Sequence, residues 1–489
     1  MNAATLDTQP QPTPWFRKIV AGGSRLLPLL VITTLCSANV LFAAESRKPN
    51  IIVILADDLG WGHVGWQNPK VKTPNLDRLA AQGLRLNQHY VASLCSPSRV
   101  ALNTGRYWSR FGCNCYTNAP QVMPTGTETV ASALKSVGYR TGMVGKWHIG
   151  TGLNFGPEAF GFDYFYGIRR GGCTPLTHKW RGVGDSVLYR NKQIVEEPGH
   201  VTDLFAREAV KWIGAEKEQP FYLYLAFTAP HVPLLEPARW MDIYKESAPD
   251  QSHQLYWAAI SHLDDAVGQV VAEVERLGQR ENTLFVFLSD NGAPGQGNLM
   301  QVDADKGAYL NVSLPRENLP FRGHKCQLYE GGIRTPALVN WSGHLKPGVC
   351  ATPLHVTDWM PTLCALGGYQ ATRDLKWDGR NIFPILAGDS SGGKRVLYSR
   401  NLFGLNRDVI EDPWKLIITP EGKQELYNLT EDVGEKHNCA EEHPEVVQRL
   451  LAAMKEASMR DDDANPNRGK KASQRPLAAQ LNEIIKQNE

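Results

Sequence analysis

Runs of apolar residues followed by short polar stretches recur along the chain. The first run, residues 51–56, is rich in β-branched side chains and ends at Asp57 and Asp58. The same arrangement returns in three later segments, YRTGMVGKWH, FYLYLAFTAPH and NTLFVFLSDNG. Because continuous apolarity is typical of a strand covered on both faces, these segments predict buried strands of a parallel sheet.

Helical patterns separate these predicted strands, for example TETVASALKSVG and WAAISHLDDAVGQVVAEVERLG. Strands that alternate with helices indicate an α/β domain with a large, mostly parallel sheet sandwiched by helices. In open sheets of this kind, ligands bind beyond the carboxyl ends of the strands. Polar residues that follow the predicted strands are therefore the first candidates for function.

The pattern changes after about residue 393. Three short strands, RVLYSR, DPWKLIITP and KQELYNL, precede the amphipathic helix HPEVVQRLLAAMKEAS. They predict a smaller C-terminal antiparallel sheet with one helix packed on it. We therefore expect a main domain over residues 45–393, a C-terminal subdomain over 394–460 and a polar tail over 461–489 that includes a short helix.

The first 44 residues differ in composition from the rest. Arg17, Lys18 and Arg25 precede the apolar run LLPLLVITTLCSANVLFAA, and small residues stand before ESRKPN. The run is too short and too polar for a stable membrane span. It predicts a secretory signal peptide over residues 1–44, with a retained anchor as the alternative. The protein is accordingly expected to be exported, to the periplasm or beyond it.

Composition adds little beyond this. The 489 residues are 42% hydrophobic and 21% charged, and the formal net charge is +2. These values are ordinary for a globular protein and demand no nucleic-acid partner. Nine cysteines would permit disulfides in an exported chain, but their connectivity cannot be read from the sequence.

Acidic and amide groups follow two of the predicted strands. Asp57 and Asp58 follow one, and Asp290 and Asn291 follow another. Adjacent carboxylates repel each other unless a cation lies between them, and oxygen ligands suit Ca²⁺ or Mg²⁺ rather than zinc. The alternative is that the aspartates only cap turns. Two such pairs at the same edge of one sheet favour a metal site.

The segment ASLCSPSRVALNTGR predicts a short helix with a cysteine at its mouth. Ser96 is expected to be the N-cap, Pro97 the first helical residue and Gly105 the residue just past the end. Cys95 then lies at the positive end of the helix, where anions bind, and Arg99 lies on the same side. The thiol could be a nucleophile, a metal ligand or a buried structural group.

At these residues the chain resembles a known family. CSPSR matches the C-x-P-x-R signature of the formylglycine-dependent type I sulfatases, which belong to the alkaline phosphatase superfamily, and LNTGR matches its continuation. Further matches run through KPNIIVILADDLGWG, GMVGKWHIG, LSDNG and YEGGIRTP to LYNLTEDVGEKHN, over most of residues 48–455. The resemblance implies an alkaline-phosphatase-like fold, with residues 45–393 as the catalytic domain. It also implies that a maturation enzyme oxidises Cys95 to Cα-formylglycine, whose hydrate is the nucleophile.

The resemblance implies a role for each matching residue. The implied calcium ligands are Asp57, Asp58, Asp290, Asn291 and the modified Cys95. Arg99 corresponds to the arginine that steadies the formylglycine, and Lys146 and His148 to the pair beside the hydrate. His231 and Lys325 correspond to the residues that hold the sulfate and assist the leaving oxygen.

Proton transfers can then be assigned to three of these groups. His148 is the expected base for expulsion of sulfate, His231 is the expected general acid, and Asp290 can accept the proton of the nucleophile. The lysines, the arginine and the cation supply fixed positive charge where negative charge develops.

A basic and aromatic stretch, YGIRRGGCTPLTHKWRG at residues 166–182, is the candidate substrate loop. Its expected contacts with a sulfated polysaccharide or oligosaccharide come from Arg169, Arg170, His178, Lys179, Trp180 and Arg181. A solvated basic loop is the alternative. For the whole protein, the rivals to a sulfatase are a phosphodiesterase or phosphonate monoester hydrolase on the same scaffold, and a glycan-binding protein without turnover.

Overall fold

The structure is a computed structural model, and from Lys48 onward the chain belongs to one compact unit. The residues that it describes are 47–180, 183–215, 218–295, 318–389, 392–401 and 406–465. The predicted signal peptide, Arg181 and the tail beyond residue 465 lie outside the described residues. Within the described residues, no helix combines the length and apolarity that a bilayer crossing requires.

Strands alternate with helices along the described chain. The strands are β1 (Asn50–Ala56), β2 (Leu84–Leu86), β3 (His89–Tyr90), β4 (Arg140–Lys146), β5 (Tyr164–Ile168), β6 (Lys179–Trp180), β7 (Val183–Ser186), β8 (Leu188–Arg190), β9 (Gln193–Ile194), β10 (Phe221–Ala226), β11 (Thr283–Ser289), β12 (Ala337–Asn340), β13 (Gly348–Cys350), β14 (Leu354–His355), β15 (Leu397–Asn401), β16 (Asn406–Glu411), β17 (Trp414–Ile418) and β18 (Gln424–Asn428). The α-helices are α1 (Pro74–Ala81), α2 (Cys95–Thr104), α3 (Val130–Ser136), α4 (Val201–Gly214), α5 (Ala238–Met241), α6 (Gln251–Arg276), α7 (Glu330–Ile333), α8 (Trp359–Gly367), α9 (Phe383–Leu386) and α10 (Pro444–Ser458).

The large sheet has ten strands among the described residues, in the order β13-β2-β12-β11-β1-β10-β4-β5-β8-β9. The four predicted strands are β1, β4, β10 and β11, and they lie side by side in parallel. The antiparallel strands β12, β8 and β9 flank this parallel centre. The predicted large mixed, mostly parallel sheet is confirmed.

Both faces of the central strand β1 are covered, as its apolar run predicts. Ile51 and Val53 pack on one face in a cluster that includes residues of α2, α3 and α8. Ile52 and Ile54 pack on the opposite face with residues of α4 and α6. Because β1 and β11 are parallel and in register from Asn50 to Ala56, the polar residues that follow both strands leave the sheet at the same edge.

The C-terminal part contains the expected small antiparallel sheet, β15-β16-β17-β18, with α10 packed on it. The sequence predicted three of its strands. The fourth, β16, has the sequence NRDVIE, in which only Val409 and Ile410 are apolar. Leu450, Leu451 and Met454 of α10 share a core with Val409, so the helix covers one face of the sheet.

Candidate active site

The helix mouth at Cys95 forms the floor of the site. Helix α2 begins at Cys95 with Leu94 as its N-cap, so the prediction of Ser96 as N-cap is wrong. The Ser96 hydroxyl instead donates to the carbonyl oxygen of His148 at 2.9 Å and accepts from the Thr117 N–H at 3.1 Å. Gly105 ends the helix in the left-handed region, at φ 67°, as expected. Ser96 therefore ties the start of the helix to the segment that carries His148.

Buried oxygen atoms converge in front of this helix mouth. Ligand atoms of Asp57, Cys95 and Asp290 lie within 4.8 Å of one another. Oδ1 of Asp57 and Oδ1 of Asn291 are buried without a hydrogen-bond partner among the described groups. A buried acceptor without a partner costs about 1–3 kcal/mol, more when it is charged. Both oxygens would gain a partner from a cation bound between the two strand ends.

Asp58 fixes the geometry between the strand ends. Its backbone is in the left-handed region, at φ 69°, which Asp tolerates better than most residues. Its N–H donates to Oδ1 of Asp290 at 3.3 Å, and Nδ2 of Asn291 donates to its Oδ1 at 2.7 Å. Hydrogen bonds therefore join the predicted metal ligands of one strand end to those of the other.

Two lysines each face one carboxylate of the cluster. Nζ of Lys325 lies 2.7 and 2.9 Å from the two carboxylate oxygens of Asp58, and Nζ of Lys146 contacts Oδ2 of Asp57. Burial opposes the charge on Lys325, but Asp58 more than compensates and holds the Lys325 pKa well above its usual range. For Asp58, burial raises the pKa, yet Lys325 and His231 bring it below its ordinary value. Both groups are therefore ionised.

Arg99 orients Asp290. Its Nε and Nη2 donate to the same oxygen, Oδ2 of Asp290, at 2.9 and 2.8 Å, and its Nη1 donates to the carbonyl oxygen of Lys146 at 2.5 Å. Burial, followed by the charge of Asp57, raises the pKa of Asp290 to about 6 in spite of Arg99. The direction of this shift favours the proton-accepting role expected of Asp290, which stays a prediction.

The Cys95 thiol is not activated. Burial raises its pKa, Lys146 and Lys325 oppose the shift, and Asp57 and Asp290 add to it. Since the thiolate is the reactive form, this environment disfavours a simple thiol nucleophile. The site has the cations and acids of an active centre, but its cysteine is poorly suited to act unmodified.

His148 and His231 flank this cluster as neutral rings. Burial, with the positive charges of Lys146 and Arg99, holds the pKa of His148 well below its ordinary value. Neither ring nitrogen of His148 has a hydrogen-bond partner among the described groups. Its ring lies against the backbone of Gly171, where an added Cβ would be 2.7 Å from Nε2.

His231 faces Asp58 from the opposite side. Its Nε2 is 3.7 Å from Oδ2 of Asp58, and its Nδ1 contacts the Val232 carbonyl oxygen. Burial lowers the pKa of His231 to about 3, with Asp58 opposing the shift and Lys325 adding to it. In a neutral ring, Nδ1 donates to that carbonyl, which leaves Nε2 as an acceptor towards the site.

The structure divides the predicted substrate loop. Arg169 is 1% exposed, with Nη2 3.1 Å from the Asn191 carbonyl oxygen and 3.3 Å from the Glu158 carboxylate. His178 is 2% exposed, and its Nε2 lies 3.0 Å from the Gly199 carbonyl oxygen. Both side chains are buried and hydrogen-bonded inside the protein, which does not favour the glycan contacts predicted for them.

The remaining described members of the loop are partly exposed. The Arg170 guanidinium lies 5.6 Å from the centre of the Trp180 ring, and Lys179 is half-buried beside it. Arg170 directly precedes Gly171, whose backbone lies against the His148 ring. Arg181 lies outside the described residues.

Sequence reasoning missed a cluster behind His231. His200, Asp203 and His262 offer ligand atoms within 4.8 Å of one another, and Glu236 contacts His262 at 2.7 Å. These residues come from α4, α6 and the loop after β10. No motif spacing groups residues so far apart in the chain. The only signal in the sequence was an acidic residue, Glu236, in the segment that directly follows His231.

The sheet is mostly parallel and presents acids, lysines and a buried arginine at its carboxyl edge. This arrangement suits a hydrolase of anionic esters on an alkaline-phosphatase-like scaffold. The chain belongs to the sulfatase family, whose model, described as Sulfatase, matches residues 49–369. Its homologues are sulfuric ester hydrolases, and the protein hydrolyses sulfate esters. The prediction of a sulfatase is thereby confirmed.

Two curated relatives illustrate the likeness. Arylsulfatase G of Mus musculus is 35% identical over 392 residues, which cover 73% of this chain and 72% of the relative. N-acetylgalactosamine-6-sulfatase of Rattus norvegicus is 31% identical over 403 residues, with 76% and 72% covered.

Solved structures agree with this assignment. Ps i-CgsB in complex with k-i-k-neocarrahexaose is 29% identical with a TM-score of 0.76, and the match covers 86% of this chain and 94% of that one. A sulfatase structure reported for the metabolism of multiple glycosaminoglycans by Bacteroides thetaiotaomicron is 26% identical with a TM-score of 0.70. That match covers 84% of this chain and 99% of the other.

Proposed function

We propose that this sulfatase is exported and removes sulfate from a carbohydrate, using formylglycine made from Cys95 and one bound Ca²⁺. The observation that carries the proposal is the set of buried oxygens in front of the Cys95 helix mouth, two of which have no partner among the described groups. The raised pKa of the thiol supports conversion of Cys95 to another group rather than its direct use.

The donor atoms present fit a hard divalent cation. Asp57, Asp58, Asp290 and Asn291 would hold it through carboxylate and amide oxygens, the ligands that Ca²⁺ prefers. When bound, the ion supplies Lewis-acid charge beside the nucleophile and the sulfate oxygens. The formylglycine hydrate would supply one hydroxyl to attack sulfur as the alcohol leaves. Its second hydroxyl would then lose a proton and re-form the aldehyde, which releases the sulfate from the first oxygen.

The protein's own side chains perform the remaining tasks. Lys146 and Lys325 place positive charge against the sulfate oxygens, in a buried setting where each charge acts strongly. Arg99 orients Asp290, which accepts the proton of the nucleophile. His148, neutral and without a partner among the described groups, receives the proton when sulfate is expelled. His231 faces the site through an unprotonated Nε2, so it assists the leaving oxygen only after that nitrogen has taken up a proton.

A mass-spectrometric experiment tests whether Cys95 is converted to formylglycine. The chain is made in a host with a formylglycine-generating enzyme, and the peptide containing Cys95 is examined for an aldehyde that reacts with a hydrazide probe. Cys95→Ala should abolish turnover. Cys439 is a buried cysteine between β18 and α10, and Cys439→Ala should keep both the aldehyde and turnover. Full activity in Cys95→Ala would refute the mechanism.

Metal analysis of the same preparation should find one Ca²⁺ per chain. Chelation should lower both turnover and the thermal midpoint, because a ligand bound only by the native state stabilises that state. Zinc, or active enzyme without a stoichiometric metal, would contradict the calcium assignment.

A sulfated carbohydrate is the substrate class that the loop around Arg170 supports. Arg170 and Lys179 offer cations to further sulfates or carboxylates of a sugar chain, and Trp180 offers a ring for an apolar sugar face. The carrageenan oligosaccharide in the Ps i-CgsB structure supports a polymeric substrate. The double variant Arg170→Gln with Lys179→Gln should lose activity on sulfated oligosaccharides and keep it on nitrophenyl sulfate.

The control removes the same charge elsewhere. Arg449 and Lys455 are exposed on α10, and Arg449→Gln with Lys455→Gln should leave both substrates unaffected. Equal losses on the two substrate types in the loop variant would show that the loop does not select the glycan.

A further inference from the structure

The loop that carries His231 is anchored from behind by an ionic cluster. This loop, residues 228–237, follows β10 and is called the His231 loop below. The side chain of Glu236, near its end, is 2% exposed, with Oε2 2.7 Å from Nδ1 of His262. A carboxylate buried to this degree requires a cationic or donating partner. His262, in the middle of α6, is that partner.

The hydrogen bonds of His262 determine its charge. Its second nitrogen, Nε2, lies 3.0 Å from Oδ1 of Asp203 on α4. Carboxylates only accept, so both ring nitrogens donate and the ring is an imidazolium. Burial opposes this charge, but Asp203 and Glu236 raise the pKa of His262 to about 9. The Trp240 ring stacks on it at 5.1 Å and 21°, a favourable arrangement for a cation.

The other charged neighbours agree with this assignment. Asp203 also faces Arg239, whose Nη2 is 3.1 Å from its Oδ1. Oε1 of Glu236 lies 3.6 Å from Nε2 of His200, and the His200 ring lies 4.6 Å from that of His262. Burial lowers the pKa of His200, and the charge of His262 adds to that shift although Glu236 opposes it.

His200 makes the second tether. It is the N-cap of α4, and its Nδ1 accepts from the Thr202 N–H at 3.2 Å. The hydrogen of the neutral ring is therefore on Nε2, which donates to the Leu235 carbonyl oxygen at 3.0 Å. The His231 loop is thus fastened at two consecutive residues, Leu235 to the start of α4 and Glu236 to the middle of α6.

The tethers and His231 face a common space. One small cavity is lined by Thr228, His231 and Glu236 of the loop together with His200. A displacement of Glu236 would therefore reach His231 through a few residues of backbone.

We propose that His262 is a positioning residue for turnover: its imidazolium holds Glu236 and thereby fixes His231 beside Asp58. The inference rests on the proposed participation of His231 in the reaction. The hydrogen bonds of His262 go to Glu236 and Asp203, outside the predicted catalytic and metal residues, so it acts through the His231 loop.

The test is a double-mutant cycle on a sulfated sugar. His262→Gln, His231→Ala and the double variant are compared by kcat and KM, with thermal midpoints to verify folding. A displacement of about 1 Å at a reacting group can cost up to about 100-fold, so we expect His262→Gln to lower kcat by about 10- to 100-fold. KM should change little, and in the His231→Ala background the additional loss should vanish.

Two further variants sharpen the test. Glu236→Gln keeps the shape of the side chain and removes its charge. It should lower kcat in the same way, with no further loss in the His231→Ala background, and it replaces His262→Gln in the cycle if that variant does not fold. His253→Gln is the matched control, because it removes a histidine–aspartate contact from the same helix at its N-terminal end. Its kcat should equal that of the unchanged protein.

The experiment distinguishes failure of the proposed role of His231 from failure of the positioning role of His262. If His231→Ala keeps full turnover, the proposed participation of His231 is wrong, and the positioning role that depends on it falls as well. If His231→Ala is impaired and the His262→Gln loss multiplies with it, the positioning role alone is wrong. A stoichiometric transition metal lost on His262→Gln would also overturn it, since the cluster would then be a metal site.

Discussion

Replacement of Lys415 by Met should destabilise the protein strongly, because Lys415 is the buried cation between the two parts of the fold. Lys415 lies on β17 of the small sheet and is fully buried. Its Nζ is 2.9 Å from Oε1 of Glu330, at the start of α7, and 2.8 Å from Oε1 of Glu435. Removing it leaves two buried carboxylates without their common counter-charge.

The magnitude follows from that burial. Breaking a buried ion pair by removing one partner costs about 3–5 kcal/mol, whereas an exposed pair contributes about 0–1 kcal/mol. Met retains most of the apolar stem of Lys415, so the cost is mainly electrostatic. The matched control is Lys423→Met: Lys423 pairs with Glu425 at 2.9 Å, but its side chain is 64% exposed.

The pH dependence separates charge from packing. Burial raises the pKa of Glu435 to about 7 from 4.5, although Lys415 opposes the shift. A raised carboxyl pKa means that the folded state binds the proton more tightly, so this contribution favours folding at low pH and is lost between pH 4.5 and 7. Without Lys415 the carboxyl groups can still be neutralised by protons in acid. The loss from Lys415→Met should therefore be smaller at pH 5 than at pH 8.

Equilibrium urea unfolding, followed by tryptophan fluorescence at both pH values, measures these differences. Lys415→Met should lower the free energy of unfolding by about 3–5 kcal/mol at pH 8, several times the effect of Lys423→Met. Equal effects of the two substitutions, or a Lys415→Met loss that does not change with pH, would refute the electrostatic argument.

Two further substitutions act inside the site. Gly171→Ala would place a Cβ 2.7 Å from Nε2 of His148, so the ring must move and kcat should fall about 10- to 100-fold. The control is Gly172→Ala, whose Cβ would lie 3.9 Å from Nδ1 of His231, an ordinary contact. This variant should leave kcat nearly unchanged. Arg99→Lys cannot keep both bonds to Oδ2 of Asp290, at 2.9 and 2.8 Å. A hydrogen bond to a charged group contributes about 1.5–3 kcal/mol, so steady-state activity should fall about 10- to 150-fold. Wild-type activity in Arg99→Lys would show that one positive charge suffices there.

Periodicity was enough to predict the centre of the fold. A strand such as β1 has apolar residues on both faces because helices cover both, and this leaves a direct trace in the sequence. The meeting of Asp57 and Asp58 with Asp290 and Asn291 followed from one rule, that parallel strands end at the same edge. β16 left no such trace, because its few apolar residues resemble a loop.

Side-chain direction was the information that the sequence lacked. Arg169 and Arg170 are adjacent and chemically identical, yet one is buried against Glu158 and the other lies beside Trp180. The neutralising carboxylate of Arg169 is 11 residues away, on a separate turn. Charge along the chain therefore indicated a basic loop, but only tertiary packing determined which cations remain available to a substrate.

The residues that hold the active-site segments in place, His262 and Lys415, were also beyond sequence-based prediction. They differ in which segment they hold. The predicted reactive groups lie within short sequence motifs, at strand ends, at a helix mouth or in loops, so motifs could find them. Their supports, His262 behind the His231 loop and Lys415 behind α7, are formed by residues distant in the chain. The Gly332 carbonyl oxygen of α7 accepts the Gly292 N–H at 3.0 Å, directly after the proposed metal ligands Asp290 and Asn291. Lys415 therefore supports the segment that packs against this strand end. His262 instead supports a loop that must present one ring to the substrate. Loss of Lys415 should therefore appear first in stability, and loss of His262 first in kcat.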